Sequence, residues 1–192
     1  MKHLSTTTRR VIAVAAAAVA GLAISSAAYA ATSSGTARTA PAAVPRCISF
    51  NLGVWVAVDQ GSGAAGTIYY PLQFTNLSGH ACYLYGFPGV SAVNRTGHQL
   101  GSAAAWSRRV APHTVILAAG ATAHTILAYH DVVVSTEAGC DPVYSAVNLR
   151  VYPPGEYTPT DAAFDFEVCS HPGPSYMTIT EPIIPGPGTI YG

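Results

Sequence analysis

The chain has 192 residues, 49% of them hydrophobic and only 9% charged, with nine basic side chains against nine acidic ones. An ordinary soluble domain carries about 25% charged residues, so a charge-driven disordered chain, a coiled coil and an acidic or basic tail are excluded. Eighteen glycines and fourteen prolines without a collagen-like period argue for many short elements joined by turns, not for long helices.

Residues 1–10 are basic, with Lys2, Arg9 and Arg10 and no acid; residues 11–24 form an apolar run of 14; Ala28-Tyr29-Ala30 is a small-x-small cleavage site. This three-part pattern predicts an export signal peptide over 1–30, cut after Ala30. The apolar run falls short of the ~20 residues that a spanning helix needs, which tells against an uncleaved anchor. Arg9-Arg10 admits a twin-arginine route, but cysteines that must be oxidised outside the cell favour the ordinary one. No cysteine follows the apolar run to carry a lipid, and residues 183–192 form a Pro/Gly-rich tail without an apolar anchor. The expectation is a secreted, extracellular product with no membrane anchor. Losing Lys2, Arg9 and Arg10 leaves six arginines against nine acids, a net charge of −3. That disfavours a nucleic-acid partner, which needs a basic face.

Cys47, Cys82, Cys140 and Cys169 all lie in the mature part. An even count in an exported chain reads as disulfides. Four cysteines permit three pairings, and strand geometry helps to choose. A strand over 48–58 that returns over 64–76, through a turn at 59–63, brings the region of Asn76 beside Cys47. Cys82 follows one short turn later, so Cys47–Cys82 is reachable. Residues 147–152 and 164–168 read as an antiparallel pair with Val151 opposite Phe164 and Arg150 opposite Asp165. That register carries Cys169 to Ala146, just downstream of Cys140, and points to Cys140–Cys169. Each bridge is worth about 2–4 kcal/mol. The cysteines are isolated, with no C-x-x-C spacing, which tells against zinc.

After a flexible leader at 31–45 the pattern takes period two. Phe50, Leu52, Val54, Val56 and Val58 share one face, and so do Ile68, Tyr70, Leu72 and Phe74. Such alternation means half-buried strands. Pro71 cannot donate to a ladder and is expected at an edge or bulge. A short strand at 82–85 ends in the corner Gly86-Phe87-Pro88-Gly89. Asn94-Arg95-Thr96-Gly97 joins a hairpin, and Ala118-Ala119-Gly120 reads as another, between 114–117 and 122–129. Residues 103–110 read as a loop holding Trp106, Arg108 and Arg109. Strands at 132–134, 147–152, 164–168 and 177–180 complete the set. Eight to ten short strands between regular turns predict an all-β domain over 46–182, an immunoglobulin-like antiparallel β-sandwich, with a small β-barrel as the alternative.

Thr75-Asn76, followed by Ala81-Cys82-Tyr83-Leu84-Tyr85-Gly86-Phe87-Pro88-Gly89-Val90, resembles the hallmark of the secreted actinobacterial domains of unknown-function family 4232. Leu117-Ala118-Ala119-Gly120-Ala121, Cys140, Pro153-Pro154-Gly155 and Cys169 extend the resemblance over nearly the whole mature chain. Many members have Pro where this chain has Ala119. The resemblance implies secretion, a β-rich domain and paired cysteines; it implies no activity and supplies no catalytic residue.

No catalytic signature stands out in the residues themselves. Gly89-Val90-Ser91-Ala92-Val93 lacks the second glycine of a nucleophile elbow, and Asp59 beside Gly61 and Gly63 is one carboxylate, too few for a calcium cage. His113 and His124 are weak metal candidates because a 118–120 hairpin would bring them within diagonal reach. His130 stands six residues beyond His124, ~20 Å along a straight strand. Surface histidines are the plainer explanation. Asn76-Leu77-Ser78 and Asn94-Arg95-Thr96 match the glycosylation triplet but suit turns. Trp55, Tyr69 and Trp106 are the ligand-binding candidates among many rings, with Tyr83, Tyr85, Tyr129 and Tyr157. Exposed rings offer large contact area to a glycan, peptide or wall component. The expected function is a non-enzymatic extracellular binding or envelope-associated module without a cofactor. The alternative is a small secreted enzyme or metal-binding protein using the His113/His124 region.

Overall fold

The computed structural model of the chain describes residues 43–131, 142–173 and 175–189. The export signal, most of the leader, the strand expected at 132–134 and Cys140 lie outside the described residues. In chain order the strands are β1 (Leu52–Val56), β2 (Ser62–Ala64), β3 (Thr67–Asn76), β4 (Cys82–Tyr85), β5 (Gly89–Asn94), β6 (Gln99–Leu100) and β7 (Ala105–Trp106). They continue as β8 (Thr114–Leu117), β9 (Thr122–His130), β10 (Pro142–Tyr152), β11 (Thr160–Cys169), β12 (Met177–Ile179) and β13 (Ile184–Pro185).

These strands build an antiparallel sandwich and not a closed barrel. The larger sheet runs β1-β3-β9-β12-β7, with β2 on β3 and β13 on β9; the smaller runs β11-β10-β5-β6; β4 and β8 form a pair of their own. Alternation decides what faces inward. Leu72 and Phe74 of β3, Leu127 of β9, and Leu149 and Val151 of β10 are wholly buried in one cluster, which Leu84 and Leu117 of the β4–β8 pair join. Ring contacts cross the gap between the sheets: Tyr70 meets Phe164 edge-on at 5.0 Å, and Tyr129 meets Phe166 at 5.4 Å. At the far end Tyr129 also meets Tyr176 edge-on. Burial raises the Tyr176 phenol above its ordinary range, with the neighbouring Tyr129 adding to the effect. Burial, then the charge of Asp131, raises that of Tyr70.

Cys47 and Cys82 form a disulfide. It is reinforced by a short parallel match, in which Cys47 N–H donates to Tyr83 O and Tyr83 N–H to Pro45 O, both at 2.9 Å. Cys169 is also disulfide-bonded; its expected partner, Cys140, is the one outside the described residues. The register of β10 on β11 sets Pro142 opposite Cys169.

Several local expectations are corrected. The first strand is shorter than 48–58: Phe50 and Val58 sit in single 3-10 turns and are exposed, while Leu52 and Val56 face the core. The reversal before β3 is not at 59–63 but at Ala65-Gly66, where both residues have positive φ, 52° and 78°. A two-residue hairpin requires that conformation, and an alanine there is disfavoured. Pro71 lies inside β3, which has neighbours on both sides. It is tolerated because the β1 ladder stops at Val56↔Leu72, so no β1 residue pairs with Pro71.

Residues 118–120 do not make a hairpin. β8 pairs with β4 and β9 with β3, so this turn carries the chain from one sheet to another. The β10–β11 register is Val151↔Thr160 and Arg150↔Asp161, not Val151↔Phe164 and Arg150↔Asp165. Arg150 accordingly pairs with Asp161 at 3.5 Å. The partner of Val151 is displaced by four residues, from Phe164 to Thr160, and the two irregularities between Val143 and Asn148 cancel, so the displacement is the same on both sides of them. The 103–110 segment contains a two-residue strand, β7, parallel to β12.

The Pro/Gly-rich tail packs as part of the domain as far as Thr189. Ile183 is wholly buried, and its N–H donates to Gly86 O at 2.9 Å. Gln73 and Gly188 exchange two hydrogen bonds, at 3.1 and 3.2 Å. This strap explains why Pro71 and Gln73 are buried although they point away from the sandwich core.

Candidate functional site

A cleft of about 400 Å³ lies where three turns meet. The corner after β4 contributes Tyr85, Gly86 and Phe87; the segment from β7 contributes Trp106, Arg108 and residues 110–112; the turn between β10 and β11 contributes Pro154 and Gly155. Local chemistry fixes each wall. Gly86 has φ +111°, which only glycine adopts easily, and this turns the chain out of β4. Gly155 has φ +76°, and a Cβ there would come within 1.6 Å of the Arg46 guanidinium. Arg46 can therefore lie across that turn, donating to Pro154 O at 3.2 Å and covering the Tyr83 ring at 5.4 Å.

Trp106 is held on three sides. Its Nε1–H donates to Pro88 O at 2.8 Å, Phe87 stacks on it at 5.8 Å and 21°, and the Arg108 guanidinium stands 5.9 Å from its ring centre. With the indole N–H already satisfied, Trp106 offers ring surface and not a hydrogen bond. Trp106 nevertheless remains 45% exposed, and Tyr85 remains 50% exposed. Trp106 is thus fixed before a ligand arrives, so little of its side-chain entropy is left to lose on binding.

A second cleft, of about 450 Å³, lies on the outer face of β3 and β9. Tyr69 and His124 line it together with residues of the C-terminal strap. The three candidate rings are thus separated. Trp106 lines the first cleft, Tyr69 the second, and Trp55, although 43% exposed, lines neither. Of the other rings, Tyr129 is buried and donates to Glu167 O, and Tyr157 is fully open to solvent. Tyr85 is the ring that belongs with Trp106. It was legible as an exposed aromatic beside the Gly86 corner; its meeting with Trp106 depends on tertiary folding.

The histidines do not assemble. His113 is exposed just before β8, and His124 is on β9 in a different sheet, so the diagonal pairing across a 118–120 hairpin does not arise. His124 Nδ1 bonds to Gly186 O, His130 Nδ1 to Thr67 Oγ1, and His171 Nδ1 to Ser170 Oγ. Among the described residues no group of three His, Cys, Asp or Glu side chains could hold a metal ion. Both glycosylation triplets are turns. Asn94 Oδ1 accepts from Thr96 N–H, Thr96 Oγ1–H and His98 N–H. Asn76 is wholly buried; its amide donates to the carbonyls of His80, Leu117 and Ala118, and its Oδ1 accepts from Ser78 N–H and Oγ–H.

Residues 47–180 match a protein family described as a domain of unknown function, DUF4232. No curated protein and no solved structure matches the chain.

Proposed function

The chain belongs to the DUF4232 family of domains of unknown function, and from that premise we propose that it is an exported, non-enzymatic binding module whose ligand rests on Trp106 and Tyr85. The observation that carries this reading is the cleft at the meeting of three turns, with two half-exposed rings, of which Trp106 is held on three sides. The corner Gly86-Phe87 and the Pro154-Gly155 turn, which also carry the family resemblance, form its walls. Central, rigid aromatics are the side chains that dominate binding energy at interfaces. Further support for a binding role over a catalytic one is that His124, His130 and His171 each tie one ring nitrogen to a local partner, away from this cleft.

Of the extracellular ligands that suit exposed rings, a peptide segment fits better than a glycan. The lining is aliphatic, aromatic and proline, with one phenol and one guanidinium as its polar side chains. A sugar would leave most of its hydroxyls without protein partners, whereas a proline-rich segment stacks on such surfaces without needing them. Binding of acetylated hexaproline to the mature protein is expected to weaken roughly tenfold in Tyr85→Ser, since truncating an aromatic anchor costs about 1–2 kcal/mol. Cellohexaose that binds more tightly than the peptide and depends on Tyr85 would reverse this preference.

Export is part of the same proposal. It is supported by the 1–30 pattern and by the Cys47–Cys82 disulfide, a bond at home in an oxidising compartment. No helix among the described residues is long and apolar enough to cross a membrane. Intact-mass measurement of protein from the culture fluid should give a chain beginning at Ala31. Material that still carries Met1, or that stays inside the cell, would contradict export by this signal.

A further inference from the structure

We infer that the cleft between the outer face of β3 and β9 and the C-terminal strap is a second, separate binding site, and that it takes a protonated primary amine. It shares no lining residue with the Trp106 cleft, so it stands or falls independently of the reading above.

The strap builds the site. Ile184 and Pro185 pair with His124 and Ala123, and Gly186 N–H donates to Thr122 O at 3.0 Å. Gly188 then lies flat on the imidazole of His124. A Cβ at that position would come within 2.4 Å of the ring and 2.7 Å of Pro71, so no side chain fits there. His124 Nδ1 is 2.8 Å from Gly186 O. A carbonyl only accepts, so Nδ1 carries the proton and, in the neutral ring, Nε2 is left as an acceptor. Glu181 enters at the start of the strap, with its backbone carbonyl held by Thr125 Oγ1 at 2.5 Å. Glu181 is half-buried, and its carboxylate has no ion-pair or hydrogen-bond partner among the described residues. Tyr69, 39% exposed, adds an aromatic ring.

The chemistry of the ligand follows from what the lining contains and what it lacks. Glu181 and Tyr69 line the cleft together with the half-buried His124, and neither Lys nor Arg does. An ammonium group has three N–H donors and a positive charge. It supplies the carboxylate with a charge-assisted hydrogen bond, leaves a donor for the imidazole, and is attracted by the ring face. A neutral polyol would dehydrate the carboxylate without returning a counter-charge. An anion would be repelled.

Titration calorimetry of the mature protein with n-butylammonium chloride tests this, with 1-butanol as the uncharged control. Nα-acetyl-lysine amide and glucosamine distinguish an aliphatic from a sugar carrier of the same amine. Butylammonium should bind in the millimolar range and 1-butanol at least roughly tenfold more weakly, the usual scale of a charge-assisted contact. Glu181→Gln keeps the size of the side chain and the backbone bond to Thr125; it should weaken butylammonium roughly tenfold, while Tyr85→Ser leaves it unchanged. Absence of butylammonium binding, equal binding of 1-butanol, or unchanged affinity in Glu181→Gln would each overturn the assignment.

Discussion

Asn76→Asp should destabilise the domain by about 4 kcal/mol, since each buried carbonyl left unsatisfied costs ~1–3 kcal/mol and a buried charge adds its own desolvation. The amide of Asn76 is wholly buried and donates to the carbonyls of His80, Leu117 and Ala118. Its backbone is tied to the same turn, with its N–H donating to Ala121 O and its carbonyl accepting from Gly120 N–H. One side chain thus joins the end of β3 to the turn that passes the chain between the sheets. An aspartate keeps the shape but turns the donating end into an acceptor facing carbonyl oxygens. For a domain of this size the melting temperature should fall by ~12 °C. Asn94→Asp provides the contrast. Asn94 uses only its oxygen, to accept from Thr96 and His98, and aspartate preserves that; the change should stay within about 0.5 kcal/mol. Thermal unfolding followed by circular dichroism separates the two, and equal shifts at both sites would refute the role assigned to Asn76.

The second large effect is removal of the Cys47–Cys82 bond by the double substitution Cys47→Ala/Cys82→Ala. The bridge spans 35 residues, and closing a loop of that size in the unfolded chain stabilises the fold by about 3–4 kcal/mol. Both sulfurs are buried, so alanine adds a small cavity penalty and leaves no unsatisfied polar group. The match between Pro45, Cys47 and Tyr83 loses its covalent anchor, and the Tyr83 amide should exchange with solvent faster. Denaturant unfolding of the double variant measures the cost; a loss below about 1 kcal/mol would mean that the hydrogen bonds at 45–47 suffice to hold the segment.

Period-two patterning made the inward residues legible, because a strand with one buried face must alternate: Leu72, Phe74, Leu149 and Val151 are where that rule puts them. Asn94-Arg95-Thr96-Gly97 was legible because its turn chemistry is local, with Gly97 at φ +80°. Ala118-Ala119-Gly120 was not. A hairpin turn and a turn that crosses between sheets can share a sequence, and the choice between them is made by β4, some thirty residues earlier, which claims β8 as its partner. The β10–β11 register failed because period-two matching cannot tell one even shift from another: the observed partner of Val151, Thr160, lies four residues from Phe164, and such a shift keeps the same faces inward. The tail was hidden because Pro and Gly signal punctuation, whereas here the lack of a side chain at Gly188 is what lets the strap lie against His124 and Pro71.

The site was legible only in pieces. Trp106 stands out as a large ring in a loop, but Tyr85, Phe87 and Pro154 join it from turns far away in the chain. Burial and exposure sort the remaining rings, and single-strand patterning cannot. It placed Trp55 and Tyr69 correctly on outward faces, yet the structure gives them different surroundings, with the strap forming a cleft beside Tyr69 while Trp55 lines neither that cleft nor the one at Trp106.

The most direct test of the binding role compares retention of the mature protein on immobilised hexaproline, for the native chain, Trp55→Ala and Tyr85→Ser/Trp106→Ala. Binding through the cleft where the three turns meet predicts that the first two are retained alike and that the double variant washes off while still melting cooperatively. Undiminished retention of the double variant, or its loss in Trp55→Ala instead, would contradict that role for the cleft.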